Sequence, residues 1–137
     1  MLAMIYDMHI VLERVVQHNL RPFTSRETLF KRFIDLIEST YPKSRSVSYY
    51  AERLNVTPKY FSYVCKQAGG QKTTDIIDQY VVKDIVYMMN YTQKSIKEIA
   101  CELDFPNLSF FGKYVKKHLG VSPKNYREQA IKRNANN

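Results

Sequence analysis

Apolar side chains recur along this chain every three and four residues, which is the spacing of one helix face. Residues 2–17 show this spacing and carry more apolar surface than one buried face needs, before HNLRPF at 18–23 interrupts them. A second segment begins at Thr24 and Glu27, whose spacing predicts a capping box, and ends before Pro42. Its predicted inward positions are Leu29, Phe30, Phe33, Ile34 and Ile37.

Residues 46–70 predict a short helix, a tight turn and a longer helix. Thr57 is a suitable N-cap because its hydroxyl can accept a backbone N–H, and Pro58 suits the first helical position. Gly69 and Gly70 end the second helix. The predicted core positions are Tyr50, Ala51, Leu54, Phe61, Val64 and Cys65.

Residues 95–120 predict the same arrangement. Ser95 and Glu98 form an S-x-x-E capping box, and Asn107 is an N-cap for the helix that follows Pro106. The predicted apolar stripes are Ile96, Ile99, Ala100 and Leu103 on the first helix and Phe110, Phe111, Tyr114, Val115 and His118 on the second.

The two segments are copies of one design. Matched residues lie 49 positions apart before the turn and 50 apart after it, so the second copy has one additional turn residue. Any two-helix hairpin can imitate one helix-turn-helix, whereas two copies with matching caps and core positions are much harder to obtain by chance. The pairs are Ala51 with Ala100, Leu54 with Leu103, Thr57 with Asn107, Phe61 with Phe111, Lys66 with Lys116 and Gly70 with Gly120.

Residues 73–90 join the copies and predict a linker helix. About sixteen helical residues span roughly 24 Å at about 1.5 Å per residue. Successive major-groove segments on one side of B-DNA repeat about every 34 Å, so a rigid helix of this size could hold both units on one duplex. Beyond the second unit, Ser122 predicts the start of a last short helix with Pro123 and Tyr126 at cap and core positions.

The charge is concentrated in the repeated part of the chain. The formal net charge is +8, and residues 1–40 contribute none of it because they hold five basic and five acidic residues. Residues 113–137 alone hold seven basic residues and one acidic residue. Such a field suits a polyanion, either nucleic acid or an acidic membrane surface; the alternative is a solvated basic surface.

Cysteine and histidine positions indicate no metal site. Cys65 and Cys101 each occupy an apolar helical position and lack C-x-x-C spacing, which predicts two buried thiols in a reducing cytoplasm. His9, His18 and His118 have no carboxylate or cysteine at ligand spacing. The apolar N-terminal segment is neither a signal peptide nor long enough to span a bilayer.

The run SIKEIACELDFPNLSFFGKYVKKHLGVSPKNYR at 95–127 resembles the DNA-binding domain of AraC/XylS-type bacterial transcription regulators. The resemblance covers about residues 25–130. It implies an all-α, homeodomain-like fold in which two helix-turn-helix units, joined by a linker helix, bind neighbouring major-groove segments of an asymmetric site.

Four positions depart from the family pattern. Asp104 stands where the family usually has Gly, and Asp tolerates unusual turn geometry better than most residues. Cys65 and Val115 replace a customary Phe at the ends of the recognition helices, which predicts slightly different packing. Val81 stands where the linker helix often has Arg, so any contact made by that Arg is missing here.

The predicted function is a sequence-specific DNA-binding transcription regulator whose recognition helices, at about 57–67 and 107–118, enter adjacent major-groove segments of one site. The candidate residues lie on the faces that the core positions leave free, and the resemblance places base contacts on the same positions. The base-reading candidates are Lys59, Ser62, Tyr63, Leu108, Ser109, Gly112 and Lys113. The phosphate-contact candidates are Thr57, Lys66, Asn107, Lys116, Lys117, Lys124 and Arg127.

We expect the chain to divide into three parts. Residues 1–23 form a helix and linker, interpreted as the end of an upstream sensor or dimerisation domain. Residues 24–130 form the DNA-binding domain, and 131–137 a polar basic tail. Within the domain lie the first helix-turn-helix at 46–70, the linker helix at 73–90 and the second helix-turn-helix at 95–120.

The expected partners are promoter or operator DNA, RNA polymerase and a second copy of the chain through residues 1–20 or an upstream domain, in the nucleoid-associated bacterial cytoplasm and without a membrane. An alternative function is a helical protein–protein adaptor that uses the apolar residues 1–17. No catalytic triad, paired-carboxylate, Gly-rich phosphate or metal constellation is present in the sequence, so neither an enzyme nor a cofactor is predicted.

Overall fold

The computed structural model describes residues 24–136, and within them the chain forms seven helices and no strand, which confirms the predicted all-α class. The extra helix predicted within residues 1–23 lies outside this range. The helices are α1 (Ser25–Ser39), α2 (Val47–Arg53), α3 (Pro58–Gly69), α4 (Thr73–Tyr91), α5 (Ile96–Glu102), α6 (Leu108–Leu119) and α7 (Pro123–Ala135).

Short polar side chains begin most of these helices. Ser95 and Glu98 form the complete predicted capping box: the Ser95 hydroxyl accepts the Glu98 N–H at 3.1 Å, and the Glu98 carboxylate accepts the Ser95 N–H at 3.2 Å. At four other helix starts the cap oxygen accepts the N–H of the residue three positions later, at 2.7 to 3.2 Å. These caps are Thr24, Thr57, Asn107 and Ser122.

The two turns have the same backbone geometry. Asn55 and Asp104, 49 positions apart, both adopt left-handed φ values, of 57° and 63°. Asp104 therefore supports the turn in place of the Gly that is usual in the related family, as predicted. The additional residue in the second copy is Pro106, which follows this shared turn. The matching backbone bonds run from the N–H of Val56 to Ala51 O at 3.0 Å and from the N–H of Phe105 to Ala100 O at 2.9 Å.

The first unit, α1 to α3, packs around Phe33. Its ring is fully buried and meets the rings of Phe61 and Tyr50 edge-on, with centroids 4.7 and 5.6 Å away. At the end of α3, Gly69 lies under the Phe30 ring, where a Cβ atom would be 2.6 Å from ring carbons. A larger residue at position 69 would therefore displace the Phe30 ring from its place on α3.

The second unit, α5 to α7, packs around Phe105, which immediately precedes Pro106. The Phe105 centroid lies 4.8 Å from that of Phe111 and 5.2 Å from that of Tyr114, both near edge-on. Val115 is fully buried beside them on α6. The phenylalanines of the two cores thus occupy related but not identical positions.

Helix α4 belongs to both units. It packs against α1 and α3 of the first unit and against α5 and α7 of the second. Its 19 residues give it a length of about 28 Å. Val81, at the position where related linker helices often have Arg, is buried within this shared core. The buried side chains of α4 are Thr73, Ile76, Ile77, Val81, Ile85, Met88 and Met89.

The structure corrects two burial predictions. Cys101 is exposed, because it lies about 200° around α5 from the buried Ile99. Phe110 was predicted in the apolar stripe of α6, yet 46% of its surface is exposed, since it lies about 100° from the buried Phe111.

Helix α7 continues through Ala135, so residues 131–135 of the predicted polar tail are helical.

Candidate nucleic-acid interface

Helix α3 buries one face and exposes the other. Phe61, Val64 and Cys65 are fully buried, as the spacing predicts. Tyr63 is 49% exposed, and its hydroxyl accepts a hydrogen bond from Arg26 Nη1 at 3.2 Å. The exposed candidates on and beside this helix are Thr57, Lys59, Ser62, Tyr63 and Lys66.

Helix α6 presents the corresponding face of the second unit. Phe111 and Val115 are fully buried, whereas Leu108 is 46% exposed although it is aliphatic. Nearly half of the Leu108 surface is therefore accessible to a partner at the start of α6. The other exposed candidates are Asn107, Ser109, Lys113, Lys116 and Lys117, and Gly112 is half-buried.

Both helices carry only positive formal charge. Neither Pro58–Gly69 nor Leu108–Leu119 contains Asp or Glu, while α3 has two lysines and α6 has three. Each N-cap oxygen also leaves other N–H groups at the helix start available, a geometry that suits a phosphate. Because Pro58 lacks an N–H, the start of α3 has one donor fewer than that of α6.

Gly112 has no packing role in the described structure. A Cβ atom at this position would meet no heavy atom within 4 Å, in contrast to the tight contact at Gly69. Gly within a helix costs about 0.5–1 kcal/mol relative to Ala. The described residues thus give no packing reason for glycine at position 112.

Arg127 occupies a different environment from the one that the sequence suggests. Its guanidinium is half-buried and donates to the carbonyl of Lys94, to Met88 O at 3.3 Å and to Thr92 O at 3.5 Å. Met88 O also accepts from the N–H and hydroxyl of Thr92, whereas Thr92 O and Lys94 O lie just beyond the end of α4, where carbonyls need donors from outside the helix. We therefore assign Arg127 to holding α7 on α4 instead of to phosphate contact. Lys124, also on α7, is exposed.

The inner side of α6 is fixed to α4 by Asp78. The Tyr114 hydroxyl donates to Asp78 Oδ1 at 2.6 Å, and His118 Nε2 lies 3.6 Å from Asp78 Oδ2. Burial, followed by the hydrogen bond to the carboxylate, raises the pKa of Tyr114 well above its ordinary value. Tyr114 is therefore a neutral donor that anchors the recognition helix.

The structure adds three residues that sequence reasoning missed. Tyr60 and Phe110 are exposed aromatic residues exactly one repeat, 50 positions, apart, and that offset was the available signal. Arg45 lies in the loop between α1 and α2, and its guanidinium carbon is 5.6 Å from the centre of the Phe110 ring. No local sequence pattern indicates this long-range contact.

Residues 24–136 contain neither a cluster of metal ligands nor a membrane-spanning helix. Among them, no group of three or more His, Cys, Asp or Glu residues could hold a metal ion. None of the helices in this part of the chain is long and apolar enough to cross a bilayer.

The chain is similar to known helix-turn-helix proteins. A family described as "Helix-turn-helix domain" matches residues 50–129. The uncharacterized HTH-type transcriptional regulator YtdP of Bacillus subtilis (strain 168) is 25% identical over 111 residues, which cover 81% of this chain. The chain spans only 14% of the length of that regulator.

Solved structures share the fold. The C-terminal domain of the response regulator AraT from Geobacillus stearothermophilus has a TM-score of 0.69 and 25% identity, covering 77% of this chain and 88% of that one. The corresponding domain of yesN from Fusobacterium nucleatum has a TM-score of 0.65 and 26% identity, with 71% and 95% coverage.

A third structure, the DNA-binding domain of AdpA in complex with a target DNA, has a TM-score of 0.62 over 81% of this chain and 96% of that one. At 15% identity it supports the fold alone. The residues that match the helix-turn-helix family, 50–129, include both turns, both recognition helices and the linker helix. The chain therefore belongs to the AraC-type helix-turn-helix family of transcription regulators.

Proposed function

We propose that this chain is the DNA-binding part of a sequence-specific transcription regulator, and that α3 and α6 enter adjacent major-groove segments of one duplex. The observation that carries the proposal is the structural repeat. Two helix-turn-helix units with the same turn geometry and side-chain-capped recognition helices expose acid-free helix faces and share helix α4. Its length of about 28 Å suits units that read successive groove segments about 34 Å apart.

The exposed face of α6 has positions suited to base contacts and others suited to phosphate contacts. Lys113 could donate to guanine O6 and N7, and Leu108 could contact a thymine methyl group. Ser109 can bond to a base edge or a phosphate, and Gly112 lets DNA approach closely. Lys116 and Lys117, nearer the helix end, suit phosphate contacts that orient the domain without reading sequence.

The face of α3 is less basic and more aromatic. Lys59 could contact guanine or phosphate, while Ser62 and Tyr63 can form hydrogen bonds to either. Because Arg26 donates to the Tyr63 hydroxyl, the tyrosine ring is held in position before DNA binds. Thr57, Lys66, Asn107 and Lys124 complete the proposed phosphate contacts.

A salt titration tests the proposal. A site can be selected by the protein from a random duplex library and then titrated at rising ionic strength with an unrelated duplex as control. We expect tight binding to the selected site that weakens steeply with salt and survives an excess of the unrelated duplex. Equal affinity for both duplexes would leave only non-specific binding, and no binding at low salt would reject DNA as the partner.

A matched pair of lysine variants tests the residue roles. Lys113→Ala should cost about 1–3 kcal/mol in binding and relax discrimination at particular base pairs. Lys117→Ala should weaken all duplexes about equally and reduce the salt slope by about 1. Indistinguishable behaviour of the two variants would refute this assignment.

We further propose that the protein acts in the bacterial cytoplasm and contacts RNA polymerase at the promoter. Dimerisation through residues 1–20 or an upstream domain is part of the same proposal, as is the boundary of the DNA-binding domain at residues 24–130. The segment on which the alternative adaptor function depends lies outside the described residues. Light scattering of the chain with and without residues 1–23 tests the dimer.

A further inference from the structure

We propose that the loop at residues 40–46, here called the clasp, fixes the placement of the two recognition helices and makes the domain selective for the spacing between the two parts of its site. The spacing selectivity rests on the proposed DNA-binding function. The clasp connects α1 to α2 within the first unit, yet three of its side chains reach α4 or the second unit.

The clasp is anchored firmly in the first unit. Tyr50 is fully buried in that core, and its hydroxyl donates to Ser44 O at 2.7 Å. The Thr40 hydroxyl donates to Leu36 O at 2.6 Å at the end of α1. The clasp is therefore bonded to the same core on which α3 packs.

Arg45 makes the contact nearest to the second recognition helix. Its guanidinium carbon lies 4.0 Å from the centre of the buried Phe105 ring, and Nη2 donates to Asp104 O at 3.3 Å. A planar guanidinium this close to an aromatic face gains cation–π and stacking energy that an ammonium group does not reproduce. Arg45 thus binds the second turn itself, immediately before α6.

Two further contacts hold the clasp on its other side. Lys43 is buried and its Nζ lies 2.9 Å from Asp84 Oδ2 on α4. The Tyr41 hydroxyl donates to Glu102 Oε1 at 2.8 Å at the end of α5, and Lys94 also contacts that carboxylate. The first unit is therefore attached to the second through this segment as well as through α4.

The two units are connected by both α4 and the clasp, and two connections restrict relative motion of the units that α4 alone would permit. A single helix can bend or twist, and its ends then change their relative angle. The Asp78 contacts to Tyr114 and His118 connect α4 to α6, and the clasp connects the first unit to the turn that precedes α6. Lys43, Tyr41 and Arg45 are accordingly positioning residues for sequence recognition.

The first test measures the placement without DNA. Spin labels can be attached at Lys66→Cys and Lys116→Cys, which are exposed and one repeat apart, with the exposed Cys101 changed to Ser. We expect a narrow distance distribution that becomes at least about twice as broad when Arg45→Ala is added. An unchanged distribution would overturn the proposal, whether or not the protein binds DNA.

The second test measures spacing selectivity on the duplex selected by the wild-type protein. Adding one base pair between the two parts displaces the second part by about 3.4 Å and rotates it by roughly 35°. We expect the wild type to lose about tenfold or more in affinity, and Arg45→Ala to lose less than about threefold. If Arg45→Ala instead bound every spacing more weakly than the wild type by the same factor, the result would indicate a phosphate contact by Arg45 and would overturn the inference.

Two variants act as controls. Arg45→Lys keeps the charge but loses the planar stack, so it should relax spacing selectivity as Arg45→Ala does. If Arg45→Lys kept the spacing selectivity of the wild type, that result would count against the proposal. Arg53→Ala removes an equal charge and an equivalent stack, since Arg53 lies 3.5 Å from the centre of the Tyr49 ring within the first unit. It should keep the wild-type spacing profile. A wild type that selects no site would reject the proposed function, while the label distances still decide on the clasp.

Discussion

The two helix-turn-helix units share their turns, their buried positions and a side-chain cap at the start of the recognition helix, but they differ on the faces that they expose. Asn55 and Asp104 take the same left-handed backbone, and matched phenylalanines fill both cores. On the outside, α3 exposes tyrosines and starts with a proline, whereas α6 exposes leucine, glycine and three lysines. The residues that fold the two units are therefore alike, whereas the exposed residues that a partner would contact differ.

The difference also extends to how each unit is held. Tyr63 of the first unit is held by Arg26 from the preceding helix α1. The second unit has polar contacts to the shared helix α4 at Asp78 and to the first unit through the clasp. Helix α3 thus has its polar contact within its own unit, whereas α6, which packs on Phe105 of its own unit, also has polar contacts from outside it.

The largest effect should come from removing the matched core rings. Phe61→Ala and Phe111→Ala should each destabilise the domain by about 3–5 kcal/mol, because both rings are fully buried and leave a cavity. Urea unfolding followed by circular dichroism measures both. Phe110→Ala removes an exposed ring and should cost less than about 1 kcal/mol. A small loss at Phe111 alone would show that the second core is packed more loosely than the first.

The matched N-caps should give the next largest effect. Asn107→Ala should cost about 1–2 kcal/mol, since its side chain accepts the Phe110 N–H at 2.7 Å. Thr57→Ala should cost less, because Pro58 already fixes the start of α3. Hydrogen exchange in the first turn of each helix compares them locally, with Thr57→Ser and Asn107→Asp as controls that keep the cap oxygen. Equal costs would mean that the proline adds nothing.

The matched positions Ser62 and Gly112 test how the exposed faces differ. Gly112→Ala should stabilise the fold by about 0.5–1 kcal/mol, because its Cβ atom enters open space and helix propensity improves. The same change should weaken binding to the selected duplex by obstructing close approach. Ser62→Gly should destabilise by about 0.5 kcal/mol. Tighter DNA binding by Gly112→Ala would remove the assigned role of the glycine.

The smallest effect concerns the capping box at the start of α5, since the matched helix α2 has no side-chain cap hydrogen bond. The hydrogen bonds from the backbone and hydroxyl of Ser95 lower the pKa of Glu98 below its ordinary value of 4.5. A lowered folded-state pKa gives stability that is present above the ordinary pKa and is lost as pH falls through the lowered one. The slope of unfolding free energy against pH should therefore decrease in Glu98→Gln below about pH 4.5.

Glu102 provides the control for that measurement. Its pKa is also lowered, first by the hydrogen bond from Lys94 and then by that from Tyr41, so it titrates in the same window. Glu98→Gln combined with Glu102→Gln should flatten the slope further. Tyr49, at the matched position of the first unit, has no carboxylate, and Tyr49→Phe should leave the acid slope unchanged. An unaltered slope in Glu98→Gln would show that the capping box does not titrate as described.

Local features were predictable from the sequence because they depend on residues three or four positions apart. The caps at Thr57, Ser95 and Asn107 and the left-handed Asp104 all follow from short-range geometry. The outward faces of both recognition helices were predicted for the same reason. Where periodicity alone decided burial, it failed at Cys101 and Phe110, since it does not say how wide the buried face is.

The sequence by itself determined the two repeated units, their turns and the basic character of their outer faces. Only the tertiary structure decided which units touch and how. Arg45 lies 59 positions from Asp104, and Arg127 lies 33 positions from Lys94, so no helical period connects them. Both arginines look like surface charges in the sequence. The folded chain commits them to backbone carbonyls, because the ends of its helices and turns leave acceptors that need a donor.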